Sequence, residues 1–207
     1  MDVRTQCRVL KVTLDHRGQA KGVIYADVSG AHHEIHAQVV VLACSGIGTP
    51  RLLLNSRSSA HPDGLGNHSG LLGRNLMLHP LAYVEGVFDR DLESSFGPHG
   101  ACILSQQFYE TSSDRDFLRG YTLQVLRGAP AVETANTGYF MRHIPLGPDH
   151  HRKFRQIFNR TAGIAVISED LPELHNRIEL DEANCDSSGM PGVKVHYKMS
   201  ENTKNML

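Results

Sequence analysis

Residues 39–56 read VVVLACSGIGTPRLLLNS. The unbroken apolar run Val39–Ala43 predicts a strand covered on both faces, as in a parallel sheet beneath helices. Ala43, Ser45, Gly46 and Gly48 then make a turn of small residues. Thr49 is placed to cap a helix, and Pro50 suits its first position, where the fixed φ fits and the missing N–H is no loss. The leucines of RLLL supply that helix with an apolar face.

Three uses of this turn are open from the residues alone. In the first it is a nucleophile elbow, with Ser45 as the attacking serine between strand and helix. That turn demands small residues two before and two after the serine; Ala43 satisfies the first requirement and the β-branched Ile47 violates the second. In the second, small residues let the backbone approach a phosphate or ribose, and the helix start offers free N–H groups and a favourable dipole. In the third, the same residues only permit tight strand-to-helix packing.

Upstream, CRVLKVTL (7–14) and KGVIYADV (21–28) flank the turn formers Asp15 and Gly18, which predicts a hairpin. A second turn, SGAHH, leads into a strand that runs on to Ala43. Downstream, the polar, Gly- and Pro-containing stretch NSRSSAHPDGLGN reads as a surface loop. A boundary is expected near residue 80, giving segments 1–80 and 81–207. In the second, LAYVEGVF, ACILSQQFYE, GYTLQVLRG, TAGIAVISED, NRIELD and GVKVHYK read as strands, HHRKFRQIFNR as a helix, and Ser200 as the cap of a last helix. The order suits antiparallel sheet with helices, so the expected class is mixed α/β (α+β).

The formal net charge of -1, from 21 Lys+Arg against 22 Asp+Glu, offers no electrostatic footprint for nucleic acid or an anionic membrane surface. No stretch reaches the roughly 20 apolar residues of a membrane span, and the N-terminal residues lack a signal-peptide layout. A cytoplasmic protein is expected. Cys7, Cys44, Cys102 and Cys185 lack CxxC spacing and read as small buried thiols. No metal site is expected from the adjacent pairs His32–His33 and His150–His151, whose neighbouring side chains diverge.

Three blocks together resemble the middle of the glucose–methanol–choline oxidoreductases: VVVLACSGIGTPRLLLNS, GLGNHSGLLGRNLMLHP, and LPELHNRIELD with SSGMPGVKVHYKMSEN. The second is the most specific, through a GxNxxxHP element at Gly73, Asn75 and His79–Pro80. The resemblance is greatest to bacterial sugar-acid or polyol dehydrogenases. It implies part of a Rossmann-like FAD-binding domain over 1–80 and part of a substrate domain with an antiparallel sheet over 81–207. It implies flavin contacts at the backbone of Val9 and at Ala43, Cys44, Ser45 and Gly46, although relatives often carry glycine where this chain has Ser45. His79 is either a structural hydrogen-bonding residue or a member of the substrate cavity, together with Leu81. Asn176 and Arg177 form a strand-start turn.

The family's GxGxxG fingerprint and its carboxy-terminal catalytic histidine segment are absent, so the resemblance implies an internal piece of a longer enzyme with no catalytic residue of its own. In that enzyme a histidine removes the alcohol proton while a hydride passes to FAD. The implied partners are a small alcohol substrate and a complementing chain or electron-acceptor subunit. The competing expectation is a non-catalytic module that pairs with another chain.

Overall fold

The computed structural model describes residues 2–97 and 100–207. They divide into two compact units: the residues up to Met77 with Pro172–Lys198, and Leu78–Leu171 with Met199–Leu207.

The first unit begins with three antiparallel strands, β1 (Arg8–Leu14), β2 (Ala20–Ala26) and β3 (His32–His36), in the order β1-β2-β3. The β1–β2 turn forms because the Asp15 carboxylate accepts the N–H groups of Arg17 and Gln19 and Gly18 supplies φ +77°. Helix α1 (Ser45–Asn55) buries Leu52 against Leu10, Val12, Ala26 and Met190. Its last turn also clamps β1: Asn55 donates to the Leu10 carbonyl, and the buried Ser56 hydroxyl accepts the Val12 N–H while donating to the Leu52 carbonyl. The hairpin of β8 (Arg177–Cys185) and β9 (Pro191–His196) completes the unit.

The second unit holds a four-stranded antiparallel sheet of β4 (Leu81–Val87), β5 (Ala101–Ser105), β6 (Tyr121–Arg127) and β7 (Thr161–Ser168), in the order β4-β7-β6-β5. Helices α2 (Ala131–Phe140) and α3 (His150–Ile157) pack on each other. Helix α4 (Glu201–Met206) is capped by Ser200, whose hydroxyl accepts the Thr203 N–H at 3.2 Å. No helix among the described residues is long and apolar enough to cross a membrane.

Several expectations are corrected. Val39–Ala43 is not a strand: no strand among the described residues pairs with it, and without a ladder its backbone has nothing to bond to. Leu42 packs on the core while Val39 and Val41 stay 74% and 82% exposed, so one apolar face of the run is covered and the other is open. Every named strand pair is antiparallel, and the parallel sheet inferred from this run is absent from the described residues. Helix α1 starts at Ser45, four residues before the expected cap Thr49, which leaves Pro50 inside it.

The segment 81–207 is not one unit, because residues 172–198 return to the first, held there by hydrogen bonds described below. His32 and His33 open a strand, paired with Ala26 and Tyr25, rather than a turn. Cys44, Cys102 and Cys185 are exposed and Cys7 half-buried, so none is the buried thiol expected of an apolar-behaving cysteine. Helix α2 was not legible at all, and none of its residues is buried.

Candidate functional site

Ala43, Cys44, Ser45 and Gly46 are all exposed and lead directly into α1. The Cys44 N–H donates to the Thr49 hydroxyl at 3.3 Å, which ties the turn to the helix. Ser45 holds φ +66°, a left-handed conformation that costs an L-residue about 1–2 kcal/mol and glycine nothing. The two glycines differ. A Cβ on Gly48 would lie 3.0 Å from Cys44 Cβ, so packing accounts for Gly48; around Gly46 nothing stands within 4 Å. Neither packing nor φ requires a glycine at 46, and the space above it is free for a ligand. The first-turn N–H groups of α1 lack intrahelical acceptors and face that same exposed bend.

Among the described residues the Ser45 hydroxyl has no hydrogen-bond partner. No histidine or carboxylate activates it, and the nucleophile-elbow reading has no geometric support. Val9 lies in β1, half-buried against the core that Leu52 of α1 also joins, beside a register shift between Val9 and Lys11. Turn and Val9 thus share one unit, connected by α1, whose far end is bonded to β1. The Asn55–Ser56 pair makes that connection, and nothing in its sequence pattern announced it.

The GxNxxxHP element is explained by packing. Gly73 has φ +80°, and a Cβ there would come within 2.8 Å of the Ile178 carbonyl oxygen. Its own carbonyl accepts the Ile178 N–H at 2.8 Å. Asn75 holds φ +57°, a region that asparagine tolerates. The next N–H, of Leu76, donates to the Asn176 carbonyl at 2.9 Å. Asn176, 1% exposed, accepts the Lys198 N–H through Oδ1 at 2.7 Å. Asn176 is therefore structural, as its place at a strand start suggested, and Arg177 beside it pairs with Glu179 at 2.6 Å.

Arg51 makes the second junction. Its guanidinium, largely buried, donates to the carbonyls of Pro191 and Met190 and to Asp186 Oδ2 at 3.0 Å. Burial alone would raise the Asp186 pKa. The Ser188 and Met190 N–H groups and Arg51 outweigh it, and the carboxyl is held below the ordinary range.

His79 lies in the second unit, in a strap pinned on either side of it. The Leu78 N–H donates to Asp170 Oδ2 at 3.0 Å, and the Pro80 carbonyl accepts both the N–H and the hydroxyl of Ser168 at 3.0 Å. The backbone of its neighbours does the anchoring, and the exposed His79 ring makes no hydrogen bond among the described residues. Leu81, 57% exposed, opens β4 immediately after it.

Residues 1–81 match the family model described as GMC oxidoreductase. The chain is 40% identical over 206 residues to the 2-methyl-1,2-propanediol dehydrogenase of Mycolicibacterium austroafricanum, covering 97% of this chain and 37% of that protein. It is 30% identical over 199 residues to the paromamine 6'-oxidase of Streptomyces fradiae, covering 94% and 33%. It is 27% identical over 196 residues to the fructose dehydrogenase large subunit of Gluconobacter japonicus, covering 93% and 35%. The chain thus spans between 33% and 37% of the length of these relatives. The match to the GMC oxidoreductases falls on the unit that carries the open turn.

Proposed function

We propose that the chain is part of an FAD-dependent oxidoreductase that acts on the CH–OH group of an alcohol, polyol or sugar acid. The observation that carries this reading is the exposed bend at 43–46, where a glycine that the fold does not need sits at a helix start. The residues that would hold the flavin nucleotide are Ala43, Cys44, Ser45 and Gly46, with the backbone of Val9. Residues 1–80 then contribute to a Rossmann-like domain, in which the half-covered run Val39–Ala43 leaves one apolar face open.

Bound flavin supplies the acceptor for the hydride. This chain's residues bind and orient; the phosphate cradle and the proton-abstracting histidine belong to segments of the longer enzyme. His79 and Leu81 are assigned to the substrate side, a reading favoured by the free ring of His79 and the exposure of Leu81. The compounds in the relatives' names, 2-methyl-1,2-propanediol, paromamine and fructose, support a hydroxylated small molecule. The large-subunit designation of one relative supports a complementing or electron-accepting partner chain.

The test is a segment exchange. Residues 1–207 replace the aligned segment of the propanediol dehydrogenase, and the chimaera is assayed for retained FAD and dye-linked alcohol oxidation. We expect both in the parent chimaera, and in Gly46→Leu a loss of FAD affinity of about 100-fold, about 2.7 kcal/mol, with the fold kept. Full FAD occupancy in Gly46→Leu sinks the assignment. The isolated chain is expected to be colourless and inactive, because the phosphate cradle and the proton-abstracting histidine lie outside it and the apolar face of Val39 and Val41 is left open to water.

A further inference from the structure

Leu78, His79 and Pro80 form a strap that runs into β4, and the groups that fix it come from the end of β7. The register of β4 on β7 runs from Val87↔Thr161 to Leu81↔Ile167. Extended three residues further, it sets Leu78 opposite Asp170. There the ladder changes character: the Leu78 N–H donates to Asp170 Oδ2 at 3.0 Å, a side-chain oxygen where a strand would offer a backbone carbonyl. Two residues along, the Pro80 carbonyl accepts the N–H and the hydroxyl of Ser168. Asp170 is 3% exposed and Ser168 1%.

An ionised carboxyl accepts hydrogen bonds on both oxygens and donates none. Asp170 takes the Leu78 N–H on one oxygen and, on the other, the hydroxyl of Thr203, which donates to Oδ1 at 2.8 Å. Thr203 is itself fully buried, and its N–H is held by the Ser200 cap of α4. The carboxylate therefore bonds to the strap and to α4, and all of these residues belong to the second unit.

His79 stands between the two anchors. It precedes proline, which keeps its backbone out of the helical region. Its neighbours are bonded on either side, so the direction of its exposed ring depends on those bonds. The two anchors are not equivalent. The bond at Pro80 survives loss of the Ser168 hydroxyl, because the Ser168 N–H donates to the same carbonyl. The bond at Leu78 does not survive loss of the Asp170 carboxyl.

We propose that Asp170 is a positioning residue: its buried carboxylate holds the strap that presents the His79 imidazole to the substrate. The proposal rests on the substrate-side reading of His79.

The test has two arms. In the full 207-residue chain, hydrogen exchange is expected to show the Leu78 amide losing protection in Asp170→Ala and keeping it in Asp170→Asn, with the amides of β7 unchanged in both. The asparagine oxygen still accepts the Leu78 N–H, and its amide nitrogen donates to the Thr203 hydroxyl oxygen. In the segment-exchange enzyme, with 2-methyl-1,2-propanediol as substrate, Asp170→Ala should lower kcat/KM by about tenfold at unchanged FAD content, and Asp170→Asn should restore most of it. With His79→Ala in place, Asp170→Ala should have no further effect, because a residue that acts through another is not additive with it. Loss of stability alone would lower kcat/KM by the same factor in both backgrounds. Should Asp170→Ala fail to fold, Thr203→Val, which removes one donor and keeps the carboxylate, takes its place in both arms with a smaller effect of the same pattern. A Leu78 amide that stays protected, or equal factors with and without the imidazole, overturns the proposal and leaves the reading of His79 standing. His79→Ala at the parent rate overturns that reading and the proposal together.

Discussion

The bend at 43–48 and the junction at 73–76 are built from the same ingredients, glycine and a non-glycine residue at positive φ, yet they differ in what surrounds them. At the junction Gly73 has a carbonyl where its Cβ would go, and Asn75 is followed by an N–H that bonds to the Asn176 carbonyl. Every special residue there is accounted for by the hairpin it grips. At the bend, Gly48 is accounted for by Cys44, whereas Gly46 faces open space and Ser45 carries a strained φ with no bond from its hydroxyl. Local constraint that the fold explains marks scaffold. Constraint that it leaves unexplained points to something outside the chain.

The strongest way to sharpen this contrast is Gly73→Ala. The substitution meets a backbone oxygen at 2.8 Å and a φ of +80°, and neither relaxes without moving β8. We expect a loss of about 3 kcal/mol or more, read as a drop in the urea midpoint, with loss of protection of the Leu76 and Ile178 amides in hydrogen exchange. A loss below about 1 kcal/mol breaks the claim that packing dictates this glycine.

A smaller effect is expected at Asp186, which joins α1 to the β8–β9 hairpin through Arg51. Its folded pKa is depressed, so its stabilisation is present above the unfolded value of about 4 and is lost as pH falls through the lower folded value. Thermal melts over that acid range should show the parent losing stability where Asp186→Asn, already weaker by about 1 kcal/mol at neutral pH, loses less. Parallel curves for the two proteins remove the junction's electrostatic account.

What could be read from the residues follows from how local each signal is. The hairpin of β1 and β2 and the capped α4 depend on Asp15, Gly18 and Ser200, each acting within four residues, and both form as the pattern indicates. Val39–Ala43 needed neighbouring strands that the described residues do not supply, so its periodicity named a state that its surroundings withhold. The return of residues 172–198 to the first unit rests on Arg51 reaching across more than a hundred positions to Asp186, Met190 and Pro191, a contact with no local trace. At the candidate site, small size at 43–46 was visible. Which of its two glycines is free was not, because Gly46 and Gly48 differ only in what stands above them.

The finest discrimination comes from paired substitutions within the bend itself. Ser45→Gly relieves φ +66° and should raise stability, by about 1 kcal/mol at most once the greater freedom of glycine in the unfolded chain is counted against it. Gly46→Ala should shift stability by less than about 0.5 kcal/mol, since nothing lies within 4 Å of the added methyl. In the segment-exchange enzyme the ordering should invert. The methyl at 46, silent for folding, should weaken FAD retention, while glycine at 45 leaves retention intact. That inversion separates a bend shaped by a ligand from one shaped by packing, because packing ranks the two substitutions by stability alone. If Gly46→Ala instead lowers stability and FAD retention together, its small residue serves the fold as Gly73 does, and the distinction between the two regions disappears.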